Sequence, residues 1–208
     1  IYTLSLHDAL PICVSRFFAC FPAMPAAARP PCRLLHLWFD ETDARRIVPP
    51  ALADRLAQMV ASSEARHGGE VRLCVEGSLP LSYLWRQVRQ RLPMAQVLRE
   101  RALMMFAKLG VWDTVGRNGV LVYLNLAARA IEIVPDRALA ASVPQAQWQA
   151  IADSLAGALR QRQFEVGLTG ALAAVTELMV QHAPQAQSPL CPSGAAAANQ
   201  LPDTVVLC

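Results

Sequence analysis

Residues 102–137 read ALMMFAKLGVWDTVGRNGVLVYLNLAARAIEIVPDR, and this stretch decides the fold, because the chain changes there from helix to hairpin. Leu98, Ala102, Met105, Phe106 and Leu109 recur at helical spacing, which predicts a helix with one apolar face that Gly110 ends. The run VLVYL at 120–124 predicts a strand buried on both faces, hence central in its sheet. Residues 130–134 bracket Glu132 between Ile131 and Ile133 and predict a neighbouring strand. Folding back about Ala127 and Ala128 pairs the two strands as a hairpin. The start of the first strand and the end of the second then lie side by side, so Asp113 and Asn118 are expected near Asp136 and Arg137.

Working outward toward the N-terminus, Pro50 opens a helix whose Leu52, Leu56, Met59 and Val60 share a face, with Gly68 and Gly69 closing it. Val71, Leu73 and Val75 alternate with Arg72, Cys74 and Glu76, the pattern of a strand exposed on one side or lying near an edge. After Pro80 comes a short helix around Trp85, Val88 and Leu92, and Pro93 separates it from the long one. A strand, a helical crossover and a second strand predict a parallel pair with a right-handed connection. The starts of both strands then share one end of the sheet, and Glu70 joins Asp113 and Asp136 there.

Three carboxylates in one place are oxygen donors suited to Ca²⁺ or Mg²⁺. Glu70, Asp113 and Asp136 would hold the ion, Asn118 would orient a phosphate oxygen, and Arg117 or Arg137 would stabilise developing charge as bound water attacks. Two considerations stand against this. Ligands of parallel sheets bind beyond the carboxyl ends of the strands, whereas two of these acids stand at strand starts. Asp113 and Asn118 also suit plain loop turns, with Asp136 pairing at the surface with Arg137 or Arg117.

The stretches FAKLGVWDTVGRNGVLVYL and IEIVPDRAL, the later Trp148, the FEVGL turn and the last amphipathic helix ending in HAP together resemble the TPM domain, also called the thylakoid acid phosphatase domain. The resemblance runs from about Leu34 to Pro184 and is to the short, soluble bacterial branch. It implies a Rossmann-like α/β fold, a small mixed sheet flanked by helices. It also implies the acid phosphatase activity and metal binding of plant members, and a gene neighbourhood shared with LemA-type membrane proteins.

The remaining segments are read as follows. Residues 1–12, IYTLSLHDALPI, match a translated sequencing adapter and are set aside, which removes His7 and Asp8 as a site. Residues 13–32 are expected to be disordered or upstream read-through, since Pro22 and Pro25 interrupt an apolar run too short for a signal peptide. The domain is expected at 33–184. Asp40 and Asp43 lack the aspartyl-phosphatase pattern, and Thr42 or Asp43 is expected to cap a short helical turn at 44–48. Ser142 to Gln145 form a capping-box pattern before a helix faced by Trp148, Ile151, Leu155 and Leu159. A final helix carries Leu168, Leu172, Val175 and Met179 inward, with His182 near its end as a cap. Residues 185–208 are expected to be a disordered tail.

Composition narrows the function classes. The net charge is only +3, and the nineteen basic residues include a single lysine, Lys108, with no basic stripe, so nucleic-acid binding finds no support. No run reaches the ~18 apolar residues of a membrane helix, which predicts a cytoplasmic protein, membrane-associated at most. Of the six cysteines only Cys74 falls in the domain, and no CxxC occurs, which argues against a disulfide scaffold or zinc site. A GxSxG elbow, a Walker loop, a GxGxxG turn and a core Cys-x₅-Arg are all missing, and His36 and His67 are lone histidines. Two functions remain: an accessory module acting with a membrane protein, docked near Trp112 or on the helix of Tyr83 and Trp85, or a metal-dependent phosphomonoester hydrolase.

Overall fold

The computed structural model describes residues 12–15, 41–114, 116–183 and 201–208. Among them five strands form one mixed sheet: β1 (Ile12–Ser15), β2 (Val71–Glu76), β3 (Val120–Asn125), β4 (Ala130–Pro135) and β5 (Val206–Leu207). Their order across the sheet is β1-β4-β3-β2-β5. Seven helices accompany them among the described residues: α1 (Glu41–Ile47), α2 (Pro50–Glu64), α3 (Leu81–Gln90), α4 (Met94–Lys108), α5 (Arg137–Ser142), α6 (Gln145–Arg160) and α7 (Phe164–His182). The expected α/β class and the flanking helices are what the chain adopts.

The central hairpin is as expected. β3 pairs antiparallel with β4 from Val120↔Pro135 to Asn125↔Ala130, and parallel with β2 from Val71↔Val120 to Glu76↔Asn125. All six residues of β3 are buried, as a central apolar run requires. The turn closes with Arg129 in the left-handed region at φ 54, its N–H donating to Leu126 O at 3.1 Å.

The two faces of the sheet differ. One is covered by α1, α2, α6 and α7, where Leu56, Val60, Trp148, Leu155, Leu172, Val175 and Met179 pack on Leu73, Val75, Val122, Leu124, Ile131 and Ile133. The other is covered by α4, whose Ala102 and Met105 meet Cys74, Leu121, Tyr123 and Val134. Helix α3 adds a smaller cluster, with Tyr83 and Leu84 against Leu79, Val97, Leu98, Ala128 and Ala130. Each large apolar side chain buried this way contributes roughly 1.5–3 kcal/mol, so the first face carries most of the apolar stabilisation.

Several expectations are corrected. β2 is buried along its whole length, including Arg72, Cys74 and Glu76, because α4 covers the face its alternation leaves polar and β5 pairs with its outer edge. Thr42 and Asp43 lie inside α1, which starts at Glu41, so neither caps it. Ser142 ends α5, and Pro144 occupies the N-cap position of α6 with no side-chain cap bond; the S-x-x-Q pattern forms no capping box. The tail expected to lack structure ends in β5, where Cys74↔Val206 and Val75↔Leu207 pair in parallel and Cys208 N donates to Val75 O at 3.0 Å. Ile12 to Ser15, within the segments set aside from the fold, pair with Ile133 to Ala130 of β4. The readings of 1–11, 16–40 and 184–200 lie outside the described residues.

Candidate functional site

The amino ends of β2 and β3 and the carboxyl end of β4 meet as the topology requires. Val120 N donates to Glu70 O at 2.8 Å and Asp136 N to Gly119 O at 2.8 Å, a ladder of three segments across that end. Asn118 ties two loops together: its Nδ2 donates to Gly68 O at 2.7 Å and its N–H to Thr114 Oγ1 at 3.1 Å. Gly119 is obligatory here, because a Cβ would stand 2.3 Å from Val111 O, a backbone atom held by its own turn.

Asp136 is the N-cap of α5. Its Oδ1 accepts from Arg137 N at 2.7 Å, while its Oδ2 is buried without a hydrogen-bond partner among the described residues. Desolvation raises its carboxyl above the usual value, against the lowering effects of the Arg137 amide and of the Arg137 and Arg117 charges. Asn118 Oδ1 is likewise buried and unpartnered. Asp136, Arg117 and Arg137 are thus brought together, with the backbone of 117–119 alongside and the Asn118 side chain turned toward Gly68.

Glu70 and Asp113 do not join them. Glu70 stands at β2 and Asp136 at β4, with β3 between, so roughly 10 Å separates their backbones, two strand spacings. The residue just before β3, at that level, is Gly119, with no side chain to bridge. Asp113 is exposed on the turn after α4. Among the described residues no group of three or more His, Cys, Asp or Glu is gathered closely enough to hold a metal ion.

The opposite end of the sheet holds a polar cluster that the sequence reading passed over. Arg101 of α4 grips Glu76 through Nε at 3.1 Å to both carboxylate oxygens and through Nη2 at 2.5 Å to Oε1. The Tyr123 hydroxyl donates to Glu76 Oε2, Asn125 Nδ2 donates to Tyr123 OH at 3.1 Å, and Ala128 N donates to Asn125 Oδ1 at 2.9 Å. Desolvation, with the Glu76 charge added, pushes the Tyr123 phenol well above its ordinary value. These groups bond one another inside the protein, so the cluster braces α4 on the sheet.

His67 also has partners, contrary to its reading as a lone histidine. Nδ1 accepts from Gly69 N at 3.2 Å, and Nε2 lies 2.8 Å from Ser63 Oγ, which is 2.7 Å from Thr176 Oγ1. A serine against a histidine suggests a nucleophile and base, yet Ser63 is 3% and His67 1% exposed, and Thr176 Oγ1 passes the chain on to Leu172 O. The chain holds α2 against α7. Spacing gave one signal of it, since Ser63 and His67 stand four residues apart.

A cleft of about 240 Å³ lies beside the α5–α6 turn, lined by Pro135, Ala140, Ser142, Val143, Pro144 and Trp148, among others; it has no acid or base in its lining, and its one hydroxyl, Ser142 Oγ, donates to Leu139 O at 3.4 Å. Among the described residues five large apolar side chains are exposed, Val166 of α7 at 62% being one. Leu81, Trp85 and Val88 of α3 are 70%, 63% and 53% exposed, and Trp112 is 57% exposed.

The comparisons agree with the fold. No curated protein matches the chain. The solved structure of the BA42 protein, determined by NMR and from the psychrophilic bacterium Bizionia argentinensis, is similar with a TM-score of 0.60 over 76% of this chain and 94% of that one, at 17% identity. The sequence profile of the TPM domain matches residues 42–178, from α1 into α7, which takes in β2, the β3–β4 hairpin and both polar clusters at the ends of the sheet. The chain belongs to the TPM domain family.

Proposed function

We propose that this TPM domain is an accessory module that acts with a membrane-protein partner, of the LemA type that the family resemblance implies, and docks through α3. One observation carries the reading. Leu81, Trp85 and Val88 stand at offsets 0, 4 and 7, on one face of a two-turn helix, and that face is open to solvent while Tyr83 and Leu84 anchor the helix from behind. Contiguous exposed apolar side chains of this size mark docking surfaces. No helix among the described residues is long and apolar enough to cross a membrane. Co-purification with the detergent-solubilised LemA-type protein of the same genome tests the reading. Capture should fall at least about tenfold in the Leu81→Ser, Trp85→Ser variant, as loss of a central aromatic anchor implies. Equal capture by both proteins would sink it.

A second reading, a metal-dependent phosphatase-like hydrolase, draws on the unpartnered Asp136 Oδ2 and Asn118 Oδ1 beside Arg117 and Arg137. Asp136 would be one ligand of the Ca²⁺ or Mg²⁺ and Asn118 would orient a phosphate oxygen, while the ion would supply a neutralising charge and an activated water when bound. These residues fit a hard cation only in part, since six to eight oxygens are usual for Ca²⁺, and Glu70 and Asp113 stand apart. Calorimetric titration with each ion, repeated on Asp136→Asn, should give binding in the parent and none in the variant. No heat from either protein would retire this reading.

A further inference from the structure

The surface that α3 presents has a second character besides being apolar. From Gly77 to Arg99 the chain carries Arg86, Arg89, Arg91 and Arg99 and no acidic residue. Arg86 is engaged, bonded to Glu100 of α4 and lying 5.1 Å from the Tyr83 ring. Arg89 and Arg91 are exposed. Arg89 follows Trp85 by one turn, with its guanidinium 5.0 Å from the indole centroid, so a cation sits at the margin of the apolar stripe. Arg91 takes the left-handed conformation that ends the helix, at φ 53, and adds a second charge at its C-terminal end.

An exposed stripe of leucine, tryptophan and valine edged by arginines has the composition of a helix that lies in a bilayer interface. There the indole sits at headgroup level, the aliphatic side chains enter the acyl boundary, and the guanidinium groups meet lipid phosphates. The shape agrees. α3 has ten residues, about 15 Å of helix, too short to span and able to lie flat. The helix is also held from behind by the Arg86–Glu100 pair and by the packing of Tyr83 and Leu84. The stripe is therefore displayed ready-made.

We infer that the outer face of α3 is an interfacial anchor for anionic phospholipid: Leu81, Trp85 and Val88 enter the headgroup region while Arg89 and Arg91 bind the lipid phosphates. The inference rests on the reading of α3 as the docking face and names what that face meets first, the bilayer surface around the membrane partner.

Vesicle flotation with the full chain tests it, using phosphatidylcholine alone and phosphatidylcholine with one third phosphatidylglycerol at low salt. The chain should float with the anionic vesicles, about tenfold more weakly with neutral ones, and its binding should weaken as salt is added. Leu81→Ser, Trp85→Ser should reduce flotation about tenfold or more, and Arg89→Gln, Arg91→Gln should remove most of the preference for anionic lipid. These four side chains are exposed, so an unchanged melting temperature is expected and is measured alongside. A chain that ignores anionic vesicles, or a Leu81, Trp85 variant that floats as well as the parent, overturns the inference. If the chain ignores vesicles yet captures the detergent-solubilised partner through Trp85, the lipid inference falls and the docking reading stands. If it floats but captures no partner, the inference holds and the partner assignment falls.

Discussion

The two ends of the sheet use the same kinds of side chain for different ends. At the carboxyl ends of β2 and β3 a carboxylate, a guanidinium, a phenol and an amide close on one another: Glu76, Arg101, Tyr123 and Asn125. At the amino ends of the same strands Asp136 and Asn118 each engage one polar atom and leave one buried oxygen unpartnered, with Arg117 and Arg137 exposed close by. Ligand sites in parallel sheets usually lie beyond the carboxyl ends, where the strands part. Here that end is sealed by α4, and the unsatisfied groups are at the other. Among the described strands only β4 runs against the other four, so the amino ends of β2 and β3 meet the carboxyl end of β4, and the unpartnered oxygens of Asn118 and Asp136 lie at that end.

Breaking the sealed end should cost most. Arg101→Ala leaves the Glu76 carboxylate buried and without its cation, a change worth about 3–5 kcal/mol in unfolding free energy by urea titration. A loss below about 1 kcal/mol would mean that water replaces the guanidinium and that this end is open after all. The largest effect expected at the opposite end is steric. Gly119→Ala places a Cβ 2.3 Å from Val111 O, and the backbone must shift, at about 1–3 kcal/mol in the same measurement.

This contrast was only partly legible in the sequence. The hairpin was readable because 120–124 and 130–134 are dense apolar runs and the helix before them has a clean period. Its register followed from pairing, which brought Asn118 and Asp136 to one end correctly. The sealed end was hidden for a definite reason: alternation along β2 places Arg72, Cys74 and Glu76 on one side, and local pattern cannot tell solvent from a covering helix whose Arg101 lies 25 residues away. β5 left no trace either, since two paired residues give no period. The metal triad failed on spacing across strands. Sequence order told which acids reach the same end, and only the sheet order β4-β3-β2 tells that a strand without a side chain at that level separates Glu70 from Asp136.

Asp136 allows a finer cut, because capping and ligand binding make different demands on it. Asp136→Ala removes the acceptor for Arg137 N and should cost about 1 kcal/mol by urea titration. Asp136→Asn keeps an N-cap acceptor and should stay within about 0.5 kcal/mol of the parent. An asparagine variant that is as unstable as the alanine one would mean that the charge at this end, and not the cap, is what the fold uses.

A further effect is one of pH, and it joins the amino end of β2 to the tail. Burial pushes the Glu64 carboxyl up to about 8, with Glu70 and Asp203 raising it further and the bond from Val71 N at 2.9 Å opposing. A folded value above the unfolded 4.5 means that the native state holds the extra proton between them. The stabilisation from Glu64 is therefore whole below about pH 4.5 and declines as pH rises toward about 8. His67 bends the other limb. Burial lowers its value below 6.5, so the native state resists the proton, and the stability it confers above that pH is lost as pH falls through the folded value. Thermal melts from pH 4 to 9 should show both limbs, and Glu64→Gln should flatten the alkaline one while leaving the acid one alone. Since Asp203 precedes β5, truncating the chain after residue 200 should lower the Glu64 value as well and shift the alkaline decline toward lower pH. A decline unmoved by that truncation would assign the raised carboxyl to burial and Glu70 alone and detach the tail from this end of the sheet.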